Sequence, residues 1–376
     1  MRGASGNGCI DCVVVGRAYV AWSVRHTGLE VVSSPARTHM STSDSCFMKN
    51  VLTQETGATR WNSSNLNERG APMKSIKAMD SAVVFHNKIT ELDDSEISEL
   101  KQTVYQHGVV VLKEQQASAA DFVVFGRRMG ELSPYYEEMY RHPEHEEIFV
   151  SSNVKTDENK VGVPRTGKFW HSDYAFMERP FAFTITYPQV VSSQNRGTYF
   201  IDMANAYERL PQRLKKMLAG ASATHSVRRY FKIRPSDVYR PVGEILAEVD
   251  RTTPPVQHPA VIRHPVTGAS ILYLSLGFTE ALALADGDTD PAEVLRELME
   301  ETGQSDGTFS HPNISLLNIS EGDIIIWDNR RYVHHAKHSE KIEPTKTFRL
   351  TAYDEFSFSD RDHAARERQA EELIHV

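Results

Sequence analysis

At 376 residues, with 40% hydrophobic and 24% charged residues, the chain has the make-up of a globular protein large enough to bury a sizeable core. Its 50 acidic residues outweigh 42 basic ones, a formal net charge of −8, so neither nucleic acid nor an acidic membrane is an expected partner. Only three cysteines occur, Cys9, Cys12 and Cys46, which excludes a disulfide framework and points to a reducing, cytoplasmic setting.

Residues 1–74 mix Ser, Thr, Asn, Gly and Arg without sustained period and read as a flexible leader, in which Met40 is a candidate start for the working protein. Cys9-x-x-Cys12 lacks the second ligand pair of a zinc site, and Val13–Val24 is too short and too interrupted by Arg17 to cross a bilayer. Elements are predicted from Ser75 onward. Ala82–Phe85 reads as a strand; Asp93 or Asp94 caps a helix with Ile97, Leu100 and Val104 on one face, ending before Gly108. Val109–Leu112 is a buried strand, and Ser118 caps a helix running to about Met129. Strand patterns then dominate at Phe181–Val191, Thr198–Ile201, Thr224–Ile233, Ala260–Arg263, Ile271–Leu274, Asp323–Trp327 and Thr347–Tyr353, with helices at about 203–219 and 290–302. The stretch 240–258 gives no clear pattern. Many short strands without regular βα alternation predict a mainly β fold with added helices, a double-stranded β-helix or jelly roll over 75–360, followed by a tail at 361–376.

The chemistry centres on His171-Ser172-Asp173. Two residues apart on an extended segment, the imidazole and the carboxylate project from one face toward one point. Phe169-Trp170 and Tyr174-Ala175-Phe176 flank them with aromatic rings able to exclude water. A third ligand is available from His334, His335 or His338; His334 and His335 face opposite ways on a strand, so only one of that pair can reach the same cavity. Two imidazoles and one carboxylate leave open positions on a non-haem iron(II), and three ligands plus water also describe a catalytic zinc. An anchor for a dicarboxylate separates the two. Arg349, on a strand where Arg349, Thr351 and Tyr353 alternate with Phe348, Leu350 and Ala352, offers a guanidinium fork suited to the distal carboxylate of 2-oxoglutarate.

In order along the chain, Trp-His-x-Asp, Gly197-Thr198, Trp327-Asp328-Asn329-Arg330 followed by His334, and then Arg349 resemble the taurine dioxygenase-like branch of iron(II)/2-oxoglutarate dioxygenases. The resemblance implies His171, Asp173 and His334 as iron ligands, Thr198 and Arg349 as holders of the 2-oxoglutarate carboxylate, and Fe(II), 2-oxoglutarate and O2 as cofactors and co-reactants. Many relatives carry a second arginine where this chain has Thr345, which throws cosubstrate binding onto Arg349. Pro134-Tyr135-Tyr136-Glu137-Glu138-Met139-Tyr140, Arg229-Tyr230-Phe231-Lys232-Ile233-Arg234 and His338 resemble, more narrowly, the isonitrile-forming oxidase-decarboxylases of actinobacterial isonitrile lipopeptide pathways. That implies a small-molecule substrate, a (3R)-3-[(carboxymethyl)amino] fatty acid, converted to a (3R)-3-isocyanyl fatty acid. Tyr135, Tyr136, Lys232 and His338 would act in catalysis, and the same four with Tyr140 and Arg234 would bind the substrate. Such a ligand has two carboxylates and an amine, for which these cations and phenols are chemically suited. Turning R-NH-CH2-COO− into an isonitrile and CO2 removes four electrons. One 2-oxoglutarate with one O2 accounts for two, so two cycles are required. The alternatives are a hydroxylase of a sulfonate or amino acid on the same fold, a zinc hydrolase, and a non-catalytic binding module; acyl length and homo-oligomer formation are left open.

Overall fold

A computed structural model describes residues 75–79, 82–154, 162–192, 196–231, 233–285, 289–338 and 342–358. The leader and tail expectations, Met40, the cysteines and Lys232 lie outside these residues. The described residues fall in one unit, Ser64–Val376.

The chain enters through β1 (Ser75–Met79) and β2 (Ala82–Phe85), then α1 (Asp94–His107). Asp93 and Glu96 form a reciprocal capping box at the start of α1, and Ile97, Leu100 and Val104 are buried along one face. Gly108 ends it at φ +84°, where a Cβ would meet the Tyr332 ring at 2.1 Å, so both conformation and space demand glycine. β3 (Val109–Leu112) is buried throughout; α2 (Ala119–Met129) starts at a Ser118–Asp121 capping box, and the two-residue β4 (Glu131–Leu132) follows. β5 (Phe149–Ser152), β6 (Phe183–Val190) and β7 (Gly197–Asp202) precede a predicted helix that is split into α3 (Met203–Arg209) and α4 (Gln212–Met217). Pro211 stands at the break, since it has no N–H to continue a helical ladder.

The predicted strand Thr224–Ile233 is corrected to β8 (Ser222–His225). Ser226 Oγ accepts the Arg228 N–H at 3.1 Å, a local turn that competes with the ladder, and Tyr230 N–H closes a further turn on Val227 O. The unpatterned stretch 240–258 folds into α5 (Val242–Thr252) and β9 (Val256–Pro259). β10 (Val261–Arg263), β11 (Ser270–Leu272), β12 (Thr279–Ala283), α6 (Pro291–Thr302), β13 (Ile314–Asn318), β14 (Ile324–Asp328), β15 (Tyr332–Lys337) and β16 (Lys346–Tyr353) complete the fold.

The major sheet runs β1-β2-β3-β14-β6-β16-β4 with β5 paired to β16; the facing sheet runs β13-β7-β15. β12-β8-β9 and the β10-β11 hairpin belong to the additions. Alternation along the strands sorts the layers. Ile324 and Ile326 of β14, Phe183 and Ile185 of β6, and Phe348 and Leu350 of β16 pack under α1 and α2. Ile325 and Trp327 turn the other way, to meet Phe200, Leu317 and Tyr332 of the facing strands. Each fully buried Leu or Ile here contributes about 1.5–3 kcal/mol. Thr184, Arg349 and Thr351 alternate with these core residues on β6 and β16 and so face the other way, where Thr184 and Arg349 reach Asp173. The mainly β jelly roll with helical additions is borne out.

Among the additions, His225 is fully buried with Nε2 unpartnered among the described residues, its ring against His258 and Tyr273. Burial, then repulsion from His258, lowers its pKa from 6.5 to about 3. The unfolded chain therefore binds the extra proton between these values. Stability from this group is full above pH 6.5 and is lost as pH falls toward 3. Urea midpoints at pH 7.5 and 5 should show the loss, and His225→Leu should flatten that part of the slope.

Candidate metal centre

His171 sits on the strand-like stretch that forms an antiparallel bridge with His334 of β15, with His171 N–H to His334 O at 3.1 Å and His334 N–H to His171 O at 2.8 Å. One ligand atom from each of His171, Asp173 and His334 lies within 4.8 Å of the others, and all three residues are buried. His171 Nε2 is 3.7 Å from Asp173 Oδ1, and His334 Nε2 is 3.8 Å from Oδ2. The Phe169 carbonyl accepts from His171 Nδ1 at 2.8 Å, which places the ring proton there and leaves the Nε2 lone pair facing inward. His335, on the opposite face of β15, meets Trp170 and Phe309 instead. The strand alternation thus selects His334 over His335.

Asp173 is held from several sides. Asn329 Oδ1 accepts its backbone N–H at 2.8 Å and Asn329 Nδ2 donates to its carbonyl at 2.7 Å. Thr184 Oγ1 donates to Oδ2 at 2.8 Å, and Arg349 Nη1 donates to Oδ1 at 2.6 Å. Burial works against the carboxylate, but Arg349 and the two histidines outweigh it and lower its pKa to about 2. Burial drives both imidazoles toward the neutral, ligating form: His171 below 6.5 and His334 well below. The donor set, one carboxylate and two neutral imidazoles with lone pairs converging, fits a divalent iron.

Arg349, largely shielded with its side chain 16% exposed, has its guanidinium carbon 4.3 Å from the Phe149 ring centroid and near the Tyr174 and Tyr135 rings, and its Nε has no partner among the described residues. A shielded cation with an unpartnered donor beside Asp173 fits a cosubstrate carboxylate. Tyr135 packs on Tyr136 at 4.5 Å, Tyr140 at 5.1 Å and Phe149 at 4.9 Å. Burial, first of all, raises the Tyr135 phenol well above 10. Tyr136 is 39% exposed at the rim, whereas Tyr140 is 1% exposed and stacked flat on Phe149. Arg234 lies 3.5 Å from both Glu137 and Glu248, so it ties the tyrosine segment to α5. Tyr230, at the end of the turn closed on Val227, stacks parallel on Phe169 at 3.5 Å, and Phe169 also contacts His171.

Across the β7–β15 ladder, His334 opposes Phe200 and Ala336 opposes Thr198. Thr198 therefore shares the face of His334, and the next positions on that face are Arg196 and His338. His338 Nε2 meets the Thr166 carbonyl at 2.9 Å, and burial, first, lowers its pKa to about 4, with Arg196 among the cations contributing. Arg196 was not anticipated. It is 8% exposed and its Nη1 has no partner among the described residues; burial lowers its pKa. Its place two residues before Thr198 is the signal that could have found it. Thr184 was legible in the same way, as the polar residue between Phe183 and Ile185.

Comparison with known proteins agrees with this arrangement. Residues 74–351 match the family described as taurine catabolism dioxygenase TauD, TfdA family. Pentalenolactone F synthase of Streptomyces avermitilis is 31% identical over 258 residues, covering 65% of this chain and 80% of that protein. An alpha-ketoglutarate-dependent 2,4-dichlorophenoxyacetate dioxygenase of Cupriavidus pinatubonensis is 25% identical, covering 70% and 91%. In fold, the crystal structure of a putative alpha-ketoglutarate-dependent taurine dioxygenase from Burkholderia xenovorans superposes with a TM-score of 0.58 at 19% identity, covering 76% and 91%. The zinc hydrolase and the non-catalytic module fall with these matches. The chain belongs to the TauD, TfdA family of iron(II)- and 2-oxoglutarate-dependent dioxygenases, and His171, Asp173 and His334 form a buried group that could hold the metal.

Proposed function

We propose that this dioxygenase converts an N-carboxymethyl-3-amino fatty acid to the 3-isocyanyl fatty acid in two successive two-electron oxidations with loss of CO2. The observation that supports the reading is a pair of arginines, each with a donor unpartnered among the described residues: Arg196, buried just before β7, and the largely shielded Arg349 on β16, which also donates to Asp173. Cosubstrate and substrate together bring four carboxylates, and one arginine could not receive them. The neighbouring phenols and the Arg234–Glu137 link, which joins the two segments carrying the narrower resemblance, give further support.

In this reading His171, Asp173 and His334 hold iron(II), which with 2-oxoglutarate and O2 supplies the oxidising power for each cycle. Thr198 and Arg349 hold the distal carboxylate of 2-oxoglutarate. Arg196 and His338, with Lys232, receive the substrate carboxylates. Tyr135 and Tyr136, their protons retained by raised pKa values, donate hydrogen bonds and shut water from the glycine methylene. Tyr140 supports Tyr135 from behind through their ring contact.

An anaerobic enzyme reconstituted with iron(II) and 2-oxoglutarate, then pulsed with O2 and substrate, should yield two succinates per isonitrile. One succinate and a hydroxylated product that keeps its carboxylate would overturn the reading. Arg349→Lys cannot fork onto a carboxylate and should raise the 2-oxoglutarate KM about 10–100-fold, the worth of a charged hydrogen bond. Arg196→Gln should act instead on the substrate KM. Separate steady-state titrations of the two ligands distinguish these effects.

A further inference from the structure

The Trp327–Arg330 turn carries a buried pair that the ligand set does not use. His264, 1% exposed, approaches Asp328 with Nε2 to Oδ2 at 2.6 Å, and Asp328 is fully buried. His264 Nδ1 accepts the backbone N–H groups of Val266 at 3.1 Å and Thr267 at 3.0 Å. Two donors aimed at Nδ1 require its lone pair, so the ring proton is on Nε2 and is given to Asp328. Asp328 Oδ1 in turn accepts the N–H of Arg330 at 2.9 Å and of Arg331 at 3.3 Å, which sets the turn. Between these residues stands Asn329, fully buried, whose amide grips both backbone groups of Asp173 and donates to the Phe181 carbonyl at 3.1 Å.

We propose that His264 is a positioning residue for the metal centre: locked in one tautomer by the 264–268 turn, it fixes Asp328, hence the plane of Asn329, hence the backbone from which the Asp173 carboxylate projects. The proposal rests on His171, Asp173 and His334 being the metal ligands. Alternatives for the pair, such as packing alone, are chemically distinguishable because His264 plays two separable parts. One nitrogen receives the turn and the other donates to Asp328. Asparagine places an acceptor near Nδ1 and keeps the turn without the donor; glutamine places a donor near Nε2 and keeps Asp328 satisfied.

The test is Mn(II) titration of the full-length apoprotein, read as the loss of free Mn(II) electron paramagnetic resonance signal, with urea midpoints measured in parallel. Outer residues that orient metal ligands typically cost about 10–100-fold in metal affinity when removed. His264→Asn should weaken Mn(II) binding by about tenfold, the low end of that range, and His264→Gln should restore most of it. Leu298→Ala in α6, a fully buried side chain, lowers stability without touching the turn and should leave Mn(II) affinity unchanged. Equal affinity in His264→Asn and the unaltered protein, failure of His264→Gln to restore binding, or an equal loss in Leu298→Ala would each overturn the positioning role. His171→Ala supplies the separate control. If it binds Mn(II) as well as the unaltered protein, the ligand assignment itself is wrong; if it does not, a negative result at His264 counts against the positioning role alone.

Discussion

His334→Ala should abolish turnover, lowering kcat by more than about 10³-fold, because two ligands remain where three converge and nothing nearby replaces the lost nitrogen. His335 is the next residue, but β15 sends it to the opposite face, against Trp170, Tyr199 and Phe309. His338 is engaged with the Thr166 carbonyl. Metal analysis and 2-oxoglutarate consumption, measured together, check the result: loss of bound iron with the fold intact by circular dichroism is expected. Retained iron and activity would mean that the centre lies elsewhere.

The largest stability effect is expected at Asp354, just after the end of β16. Arg330 Nη1 and Nη2 donate to its two oxygens at 2.8 and 2.7 Å, and Tyr105 donates to Oδ2 at 2.9 Å, with both charged side chains almost wholly buried. Asp354→Ala leaves the guanidinium buried and unpaired, which costs about 3–5 kcal/mol. A fall in Tm on the order of 10 °C is the corresponding shift. Replacing both partners with apolar residues of similar size, Arg330→Met with Asp354→Leu, should recover most of the loss, since the paired charges also carry a desolvation cost. Differential scanning calorimetry of the single and double variants measures the coupling directly. If the single variant matches the unaltered protein, the pair contributes nothing to stability.

Much of this architecture was legible because period and capping are local properties. Asp93 and Ser118 mark α1 and α2, and the alternation in β16 separates Arg349 and Thr351 from the core residues Phe348 and Leu350. The convergence of His171 and Asp173 was legible from their two-residue spacing, whereas spacing alone left His334, His335 and His338 open and the resemblance singled out His334. What was not legible depended on contacts between distant segments. β8 ends at His225 because Ser226 turns the chain, against a run of strand-forming residues. Tyr140 is buried against Phe149, and Arg234 lies 3.5 Å from both Glu137 and Glu248, contacts between segments that no local pattern announces. Arg196 reads as an ordinary surface cation until the fold buries it just beyond the β7–β15 ladder, close enough to act on His338.

The antiparallel bridge between His171 and His334 also has a kinetic meaning. It closes a loop of roughly 160 residues, and such a closure is entropically unfavourable until strands β6, β7, β14 and β15 are already paired. Metal capture should therefore come at the end of folding, not as its template. Refolding rates should be insensitive to added iron(II), while unfolding of the loaded protein should slow as the metal concentration rises, because binding favours only the finished fold.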